Sequence, residues 1–416
     1  MIDKTSSNNA AFEALAQANP VFTEVLTAGE ALPGMKPNVV LTSGAPMEWE
    51  QYTGGQRAAV IGGALFEGLA SDAADADAKL KSGEIIVDGC HDYGCVGSLA
   101  GIYTASMPVL AVTNTANGNR GFCNFFEGPS PKRLNYGTYD DEVRETLLFV
   151  QDVIAPTVAE AIKRSEDGVA LRPIIRRALG MGDEMHSRNA AGTLLFGREM
   201  VPYFFEMLEQ KPQEVRQTYA FMSDSPYFFL RLSMAAAKAT ADAARDIEGS
   251  SVVSAMCFSC SQFSIRLGGL GDQWFSADLE PAQAKLFEGF SEGDIEFMGG
   301  ESVITETVGL GGFAQASAFT LQEYQGGTPE DMAELNRSMY EITVGEHPEY
   351  KIPFFGFRGV PLGIDAFKVI ETGIAPVMDI GIAGGDGRQI GAGVLRAPLA
   401  CFEQATAAYD DKYGDS

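Results

Sequence analysis

The stretch Glu84-Ile85-Ile86-Val87-Asp88-Gly89-Cys90-His91-Asp92-Tyr93-Gly94-Cys95-Val96-Gly97-Ser98-Leu99-Ala100-Gly101 decides how the chain is read. Its apolar start over 84–88 reads as a short strand. The polar, glycine-spaced residues that follow read as a turn whose backbone can approach a ligand closely. One of the chain's three histidines stands here beside an acid, a tyrosine and two thiols. A second polar knot, Met181-Gly182-Asp183-Glu184-Met185-His186-Ser187-Arg188-Asn189, reads as its partner. The rest of the chain is expected to bring the two together.

Around the first knot, strands alternate with helices. Residues 9–30 read as a helix that Pro20 interrupts or restarts. A strand over 38–42 ends in the small-residue turn Ser43-Gly44-Ala45-Pro46, the kind of place where α/β sheets hold ligands. A helical pattern over 57–68, a strand over 107–112 and the turn Gly118-Asn119-Arg120-Gly121 complete an α/β domain over 1–135. From 136 to 249 the pattern is almost all helical, with apolar residues near a 3.6 period between Val143 and Ile162. Further helices are expected at 171–180, 189–209, 211–222 and 226–246. Strands return at 252–258 and 262–267, opening a glycine-rich α/β domain over 250–416. It carries helices at 313–324, 329–338 and 398–411, and a strand-and-turn region at 381–394. The expected fold is therefore α/β (α+β) and multidomain, with mixed sheets at both ends and a helical middle.

The net charge of −26 over 416 residues disfavours nucleic acid and anionic membrane, which need a basic footprint. An anionic substrate would need a local cationic pocket. Arg172, Arg176, Arg177, Arg188 and His186 form the densest positive cluster, and guanidinium forks match carboxylate and phosphate. The alternative is an arginine-rich helix paired with surface acids. No apolar run reaches about 18 residues, so no membrane span is expected. The polar N-terminus shows no signal-peptide pattern, so a cytoplasmic location is expected. The six sparse cysteines read as reduced thiols, and Cys257-Phe258-Ser259-Cys260 as core rather than zinc or redox. No metal and no cofactor are expected. The glycine runs at 268–271, 309–312 and 384–393 match neither the P-loop nor the dinucleotide fingerprint, and no G-x-S-x-G elbow is present. They read as tight turns or as backbone nests for anions.

His91, Glu184, His186 and Arg188 are the candidate catalytic residues, with His91 or His186 as base and Asp92 as the orienting acid beside His91. Asp92, Asn119, Arg120, Arg172, Asn189, Arg266, Asp272, Glu306, Thr307 and Arg358 are candidate substrate contacts. His347 before Pro348 reads as a structural loop histidine. A histidine satisfied by backbone remains the alternative for His91.

Several stretches resemble the YahG/YlbE-like family: Ser43-Gly44-Ala45-Pro46-Met47-Glu48-Trp49-Glu50, His91 through Gly101, Gly118-Asn119-Arg120, Tyr136-Gly137, Leu171-Arg172-Pro173, the whole 181–189 knot, Gly269-Leu270-Gly271-Asp272-Gln273-Trp274-Phe275, Ile304-Thr305-Glu306-Thr307-Val308-Gly309 and Phe357-Arg358-Gly359. The resemblance runs from about residue 20 to the end. Where the family pattern has Pro-Met after Val96-Gly97, this chain has Ser98-Leu99. The resemblance implies an AllG-type subunit of an oxamate carbamoyltransferase in anaerobic allantoin and purine nitrogen catabolism. It also implies an FdrA-type CoA-ligase-like partner subunit, a third small subunit, and a homodimer or hetero-oligomer. The Ser-Thr-Arg-Thr loop of other carbamoyltransferases is absent, so a different site is implied. Two other roles stay open: a non-catalytic scaffold subunit, or a module that binds a small anion.

Overall fold

The computed structural model describes residues 3–414. The chain opens with helix Lys4–Gln17 and passes at Pro20 into strand Pro20–Thr27. The helix expected over 9–30 thus ends early. Pro20 takes the first strand position, where a missing N–H is tolerated, and Val21, Phe22, Thr23 and Val25 suit a pleated surface. The strand pairs antiparallel with Pro108–Asn114, from Pro20 opposite Asn114 to Thr27 opposite Pro108.

That pair is central to a five-stranded sheet in the order Cys95–Val96, Arg120–Asn124, Pro108–Asn114, Pro20–Thr27, Val169–Ala170. The expected turn at 118–121 is therefore shorter, because a strand begins at Arg120. Helix Phe228–Ala241, buried along all 14 of its residues, lies on this sheet. Gly121 makes the close approach possible: a Cβ there would collide with the carbonyl of Ala235 and stand 2.6 Å from the amide of Ala239.

Beside this sheet, Val39–Thr42 runs parallel to Ile86–Gly89, joined through helices Gly54–Phe66 and Ala73–Ser82. The second strand leads straight into the 3-10 turn Cys90–Tyr93, so the first polar knot sits at a strand end as expected. The middle of the chain is helical: Asp141–Phe149, a π-turn at Val150–Ile154, Ala155–Ile162, Leu171–Leu179, Ala190–Met207, Pro212–Ser223 and Phe228–Ala241. The later residues form a three-stranded sheet around Gln262–Leu267 and a four-stranded sheet in the order Gln283–Leu286, Gln389–Arg396, Val377–Gly384, Ile295–Glu296. They also form the hairpin of Thr343–Ile352 and Arg358–Ile364. His347, expected in a loop, lies in that hairpin. The helix expected at 313–324 breaks into short 3-10 turns and helix Gln322–Gln325. The whole is a multidomain α/β architecture.

One apolar cluster draws on Ala11, Phe22, Leu110, Val158, Phe196, Phe229, Met234, Ile304 and Val360, so it ties the first sheet to the helices and the C-terminal hairpin. A second, around Phe263, Phe313, Ile380 and Phe402, fills the later sheets. The six cysteines are free thiols, five of them buried.

Arg172 joins two of these parts. It donates to the last carbonyls of the first helix, Ala16 (3.0 Å) and Ala18 (3.1 Å), and pairs with Glu349 on the hairpin at 3.1 Å. An Arg172→Ala variant is expected to lose about 1–3 kcal/mol of unfolding free energy in urea. Arg358→Ala, which loses an exposed pair to Glu346, is expected to stay within about 0.5 kcal/mol of wild type. Equal losses in the two variants would contradict the capping role.

Candidate functional site

The two knots meet at a partly open pocket with a cavity volume of about 70 Å³. Ser98 and Leu99 from the first knot form one wall, and His186 and Ser187 from the second form another. Arg133, Asn135 and Tyr136, Tyr227 and Arg231, Tyr324, and Gln389 close the rest. These come from the turn Leu134–Tyr136, the start of helix Phe228–Ala241, helix Gln322–Gln325 and strand Gln389–Arg396.

Both knots are held in backbone conformations that L-residues rarely adopt. Leu99 has φ 53° and Met185, just before His186, has φ 77°. Each costs on the order of 1–3 kcal/mol, so the surroundings must impose it. At 185 the hydroxyl of Ser233 donates to the Met185 carbonyl at 2.7 Å. Glu184 does more. Its buried carboxylate accepts the backbone N–H of His186 at 2.7 Å, of Arg188 at 3.1 Å, and of Ser187. Burial raises the Glu184 pKa, and nearby Asp379 adds to the shift. Asn189 completes the turn by donating to the His186 carbonyl at 2.8 Å. Asp183 anchors the helix that follows by accepting the Gly192 N–H at 2.8 Å, and burial moves its pKa up to about 6. At the other knot, buried Glu301 accepts the Gly97 N–H at 2.7 Å, while its own N–H donates to the Gly97 carbonyl at 2.9 Å. Burial pushes its pKa up to about 8.

His186 is the one histidine on the pocket wall. Its Nδ1 lies 2.8 Å from Glu306 Oε1, which leaves Nε2 as the free ring nitrogen. Glu306 also accepts the hydroxyl of Thr305 (2.8 Å) and the amides of Gly312 (3.0 Å) and Asp379 (3.0 Å). Gly311, at φ 57°, has no room for a Cβ against that carboxylate. Burial works against a charged His186 ring, but Glu306 outweighs it and the pKa is raised. Asp379 behind it is moved up to about 7, by burial and by Glu306.

The pocket's cations were not singled out in the sequence. Arg231 is 4 % exposed. It donates from Nη1 to Asn124 at 2.8 Å, and its Nε has no partner. Among the described residues the other buried cations, Lys238 and Arg266, pair with Asp242 and Asp92, whereas Arg231 has no carboxylate partner. Arg133 lies over the rings of Phe126 (4.6 Å) and Tyr136 (5.6 Å). A signal for Arg231 was present: a lone charge in the apolar run Phe228-Phe229-Leu230-Arg231-Leu232 must be paired or used.

The other candidates fall elsewhere. His91 is buried against Trp274, ring centroids 5.5 Å apart, and burial lowers its pKa, with Lys238 and Arg266 adding to the shift. Asp92 pairs with Arg266, which stacks on the same indole at 4.0 Å. Asn119 donates to the Ala239 carbonyl at 2.7 Å, and Arg120 pairs with Glu24 at 2.5 Å. Arg188 turns to the Gly182 carbonyl at 2.9 Å. Asp272 pairs with Arg245 on the surface, Thr307 bonds the Ile304 carbonyl at 2.6 Å, and Arg358 lies over Tyr340 at 3.7 Å. Arg172 is the capping residue described above. Of the sequence candidates only His186 lines the pocket; Glu184 and Asn189 bond its backbone and Glu306 its ring from behind the wall. His91, Asp92 and Arg266 form a second cluster that does not line it.

Among the described residues no group of three or more His, Cys, Asp or Glu could hold a metal ion. Nor, among the described residues, is any helix long and apolar enough to cross a membrane.

The fold is an α/β architecture of several sheets, with a pocket lined by Arg133, Arg231 and His186 where two turns with positive-φ residues meet. Its relatives identify the family. The family model for oxamate carbamoyltransferase subunit AllG matches residues 85–302. The chain is 38% identical over 413 residues to the oxamate carbamoyltransferase subunit AllG of Escherichia coli K12, covering 98% of each. It is also 38% identical over 411 residues to the uncharacterized protein YahG of the same organism, covering 98% of this chain and 86% of that protein. A crystal structure of a conserved protein of unknown function from Enterococcus faecalis V583 superposes with a TM-score of 0.95 at 35% identity, covering 98% of both chains. The chain belongs to the AllG family.

The three histidines give a direct check. The His186 ring is expected to titrate above 6.5 in NMR, and Glu306→Gln to bring it down. The stability from this pair is fully present below the unfolded value of about 6.5 and is lost as pH rises through the raised folded value. His91 and His347, the latter lowered to about 3 by burial and Arg172, are expected to stay neutral from about pH 5 to 8. A His186 midpoint below 6.5 would contradict the pairing.

Proposed function

We propose that this chain is the pocket-bearing subunit of an oxamate carbamoyltransferase-like complex. It moves a carbamoyl group between carbamoyl-oxamate and phosphate in anaerobic allantoin and purine nitrogen catabolism. Its partners in this reading are an FdrA-type CoA-ligase-like subunit and a third small subunit, in the cytoplasm.

The observation that supports this reading most is Arg231. A buried guanidinium with no carboxylate partner is costly to keep, and an anion in the pocket would supply the missing charge. In a chain of net charge −26 such a place is conspicuous. Both substrates of the proposed reaction are anions. Arg231 and Arg133 would hold the oxamate carboxylate and the phosphate.

In the forward step a phosphate oxygen bonds to the carbamoyl carbon, and the bond from that carbon to the oxamate nitrogen breaks. The departing nitrogen must gain a proton. His186, held through Nδ1 by Glu306, offers its Nε2–H for that transfer and takes the proton back in the reverse direction. Its pKa, raised by Glu306 against the effect of burial, favours the protonated, donating form. Glu184 acts through the loop, since its oxygens are taken by three amides.

The test is carbamoyl phosphate formation from carbamoyl-oxamate and phosphate by the co-expressed complex. His186→Ala is expected to lower kcat by about 10²–10⁴, and the wild-type rate to fall as pH rises through the His186 pKa. Arg231→Met is expected to raise KM for the anionic substrates by about tenfold or more while leaving the melting temperature unchanged or higher, because it removes a buried charge that makes no direct ion pair. Full activity in both variants, with the complex assembled, would move the chemistry to a partner and leave this chain a scaffold.

A further inference from the structure

Beside the arginines, the pocket carries a phenol–amide chain that the reading above does not use. Gln389 is fixed in its orientation. Its Nε2 donates to the Gly391 carbonyl at 3.0 Å, and its Oε1 accepts the Tyr136 hydroxyl at 3.2 Å. A carbonyl can only accept, so the amide cannot be the other way round. The second Nε2 proton is therefore donated to the hydroxyl of Tyr324. Tyr227 donates to that same oxygen at 3.1 Å.

A phenolic hydroxyl has one proton and room to accept about two hydrogen bonds. Tyr324 already accepts two, and its own proton has no acceptor among the described residues. Both Tyr227 and Tyr324 line the pocket. If the bond between them ran the other way, the spare proton would sit on Tyr227 and still face the same space. One O–H donor is thus left for a ligand, whichever way the pair is polarised.

We propose that Tyr324 is the hydrogen-bond donor that receives the carbonyl oxygen of the transferred acyl group in this pocket, an assignment that rests on the carbamoyl-transfer reading. That oxygen gains negative charge as the phosphate oxygen bonds to carbon, and loses it when the carbon–nitrogen bond breaks. A donor held in place beforehand by two neighbours stabilises that charge without having to reorganise. Burial, and then the neighbouring Tyr227, raise the Tyr324 pKa, so the phenol keeps its proton at working pH. The wall also sorts ligands. It offers a proton beside two arginines, so it suits an oxygen acceptor and disfavours an N–H group.

The experiment compares Tyr324→Phe, Tyr227→Phe and His186→Ala in the assembled complex, with kcat and KM for phosphate measured separately. Tyr324→Phe is expected to lower kcat by about 10²-fold while KM for phosphate changes by less than about threefold. Tyr227→Phe is expected to cost less, about threefold to tenfold, because Tyr324 keeps its proton and loses only one orienting bond. If Tyr324→Phe does not fold, Gln389→Met reads the same chain by unlocking the phenol, and its expected loss is in kcat. An inactive His186→Ala beside a Tyr324→Phe (or Gln389→Met) within about twofold of wild type would overturn the Tyr324 assignment alone. Wild-type activity in all variants would overturn the carbamoyl-transfer reading together with it. A loss confined to KM would make Tyr324 a ground-state contact and overturn the oxyanion role.

Discussion

The carboxylate of Glu306 holds the site together. One fully buried side chain takes the ring of His186, the hydroxyl of Thr305 and the amides of Gly312 and Asp379. These belong to the second polar knot, the short helix Ile304–Thr307, the glycine turn after it and strand Val377–Gly384. A buried carboxylate tolerates its loss of water only when donors surround it. Here the donors are two side chains and two backbone amides from four segments, so meeting that need also fixes where the segments lie. Glu184 repeats the device within one loop, spending its oxygens on three consecutive amides. The two carboxylates explain how a loop with a strained Met185 can hold a histidine in a single orientation.

Electrostatics then gives the pocket its character. The chain as a whole is acidic, and most of its arginines are paired with surface or half-buried acids. The densest run of positive charge in sequence, 172–188, is largely consumed this way: Arg172 and Arg176 meet Glu349, and Arg188 meets Asp183. Arg231 is different because it makes no direct ion pair: the buried carboxylate of Glu127, held by Asn135, acts on it only at longer range. In a poorly solvated wall its field is weakly screened, so it counts for more than several surface cations.

Much of the architecture was legible. The helices of the middle region and the strands at 38–42, 84–88, 107–112, 252–258 and 262–267 follow periodicity and fall close to their expected limits. The reading failed where pairing partners are distant. Strand Pro20–Thr27 continues a helical pattern, and only its partners Pro108–Asn114 and Val169–Ala170 make it a strand. The hairpin holding His347 and Arg358 was missed because proline and charge break its alternation. At the site, His186 and Glu306 were legible as chemistry-bearing residues near glycine turns. Arg133, Arg231, Tyr227, Tyr324 and Gln389 were not, since each stands alone among residues that look structural.

The sequence by itself determined the α/β class, the acidic charge, the two polar knots and the family, because composition, periodicity and local motifs are properties of neighbours along the chain. Only the tertiary structure decided which polar residues face one another. It sent His91 and Asp92 to Trp274 and Arg266, and Arg172 to the end of the first helix. It brought Ser98, His186, Arg231 and Tyr324 to one pocket from positions spread over more than half the chain. The physical reason is burial. Whether a polar side chain is satisfied or left with a free donor depends on what packs against it, and that is set by contacts between residues remote in sequence.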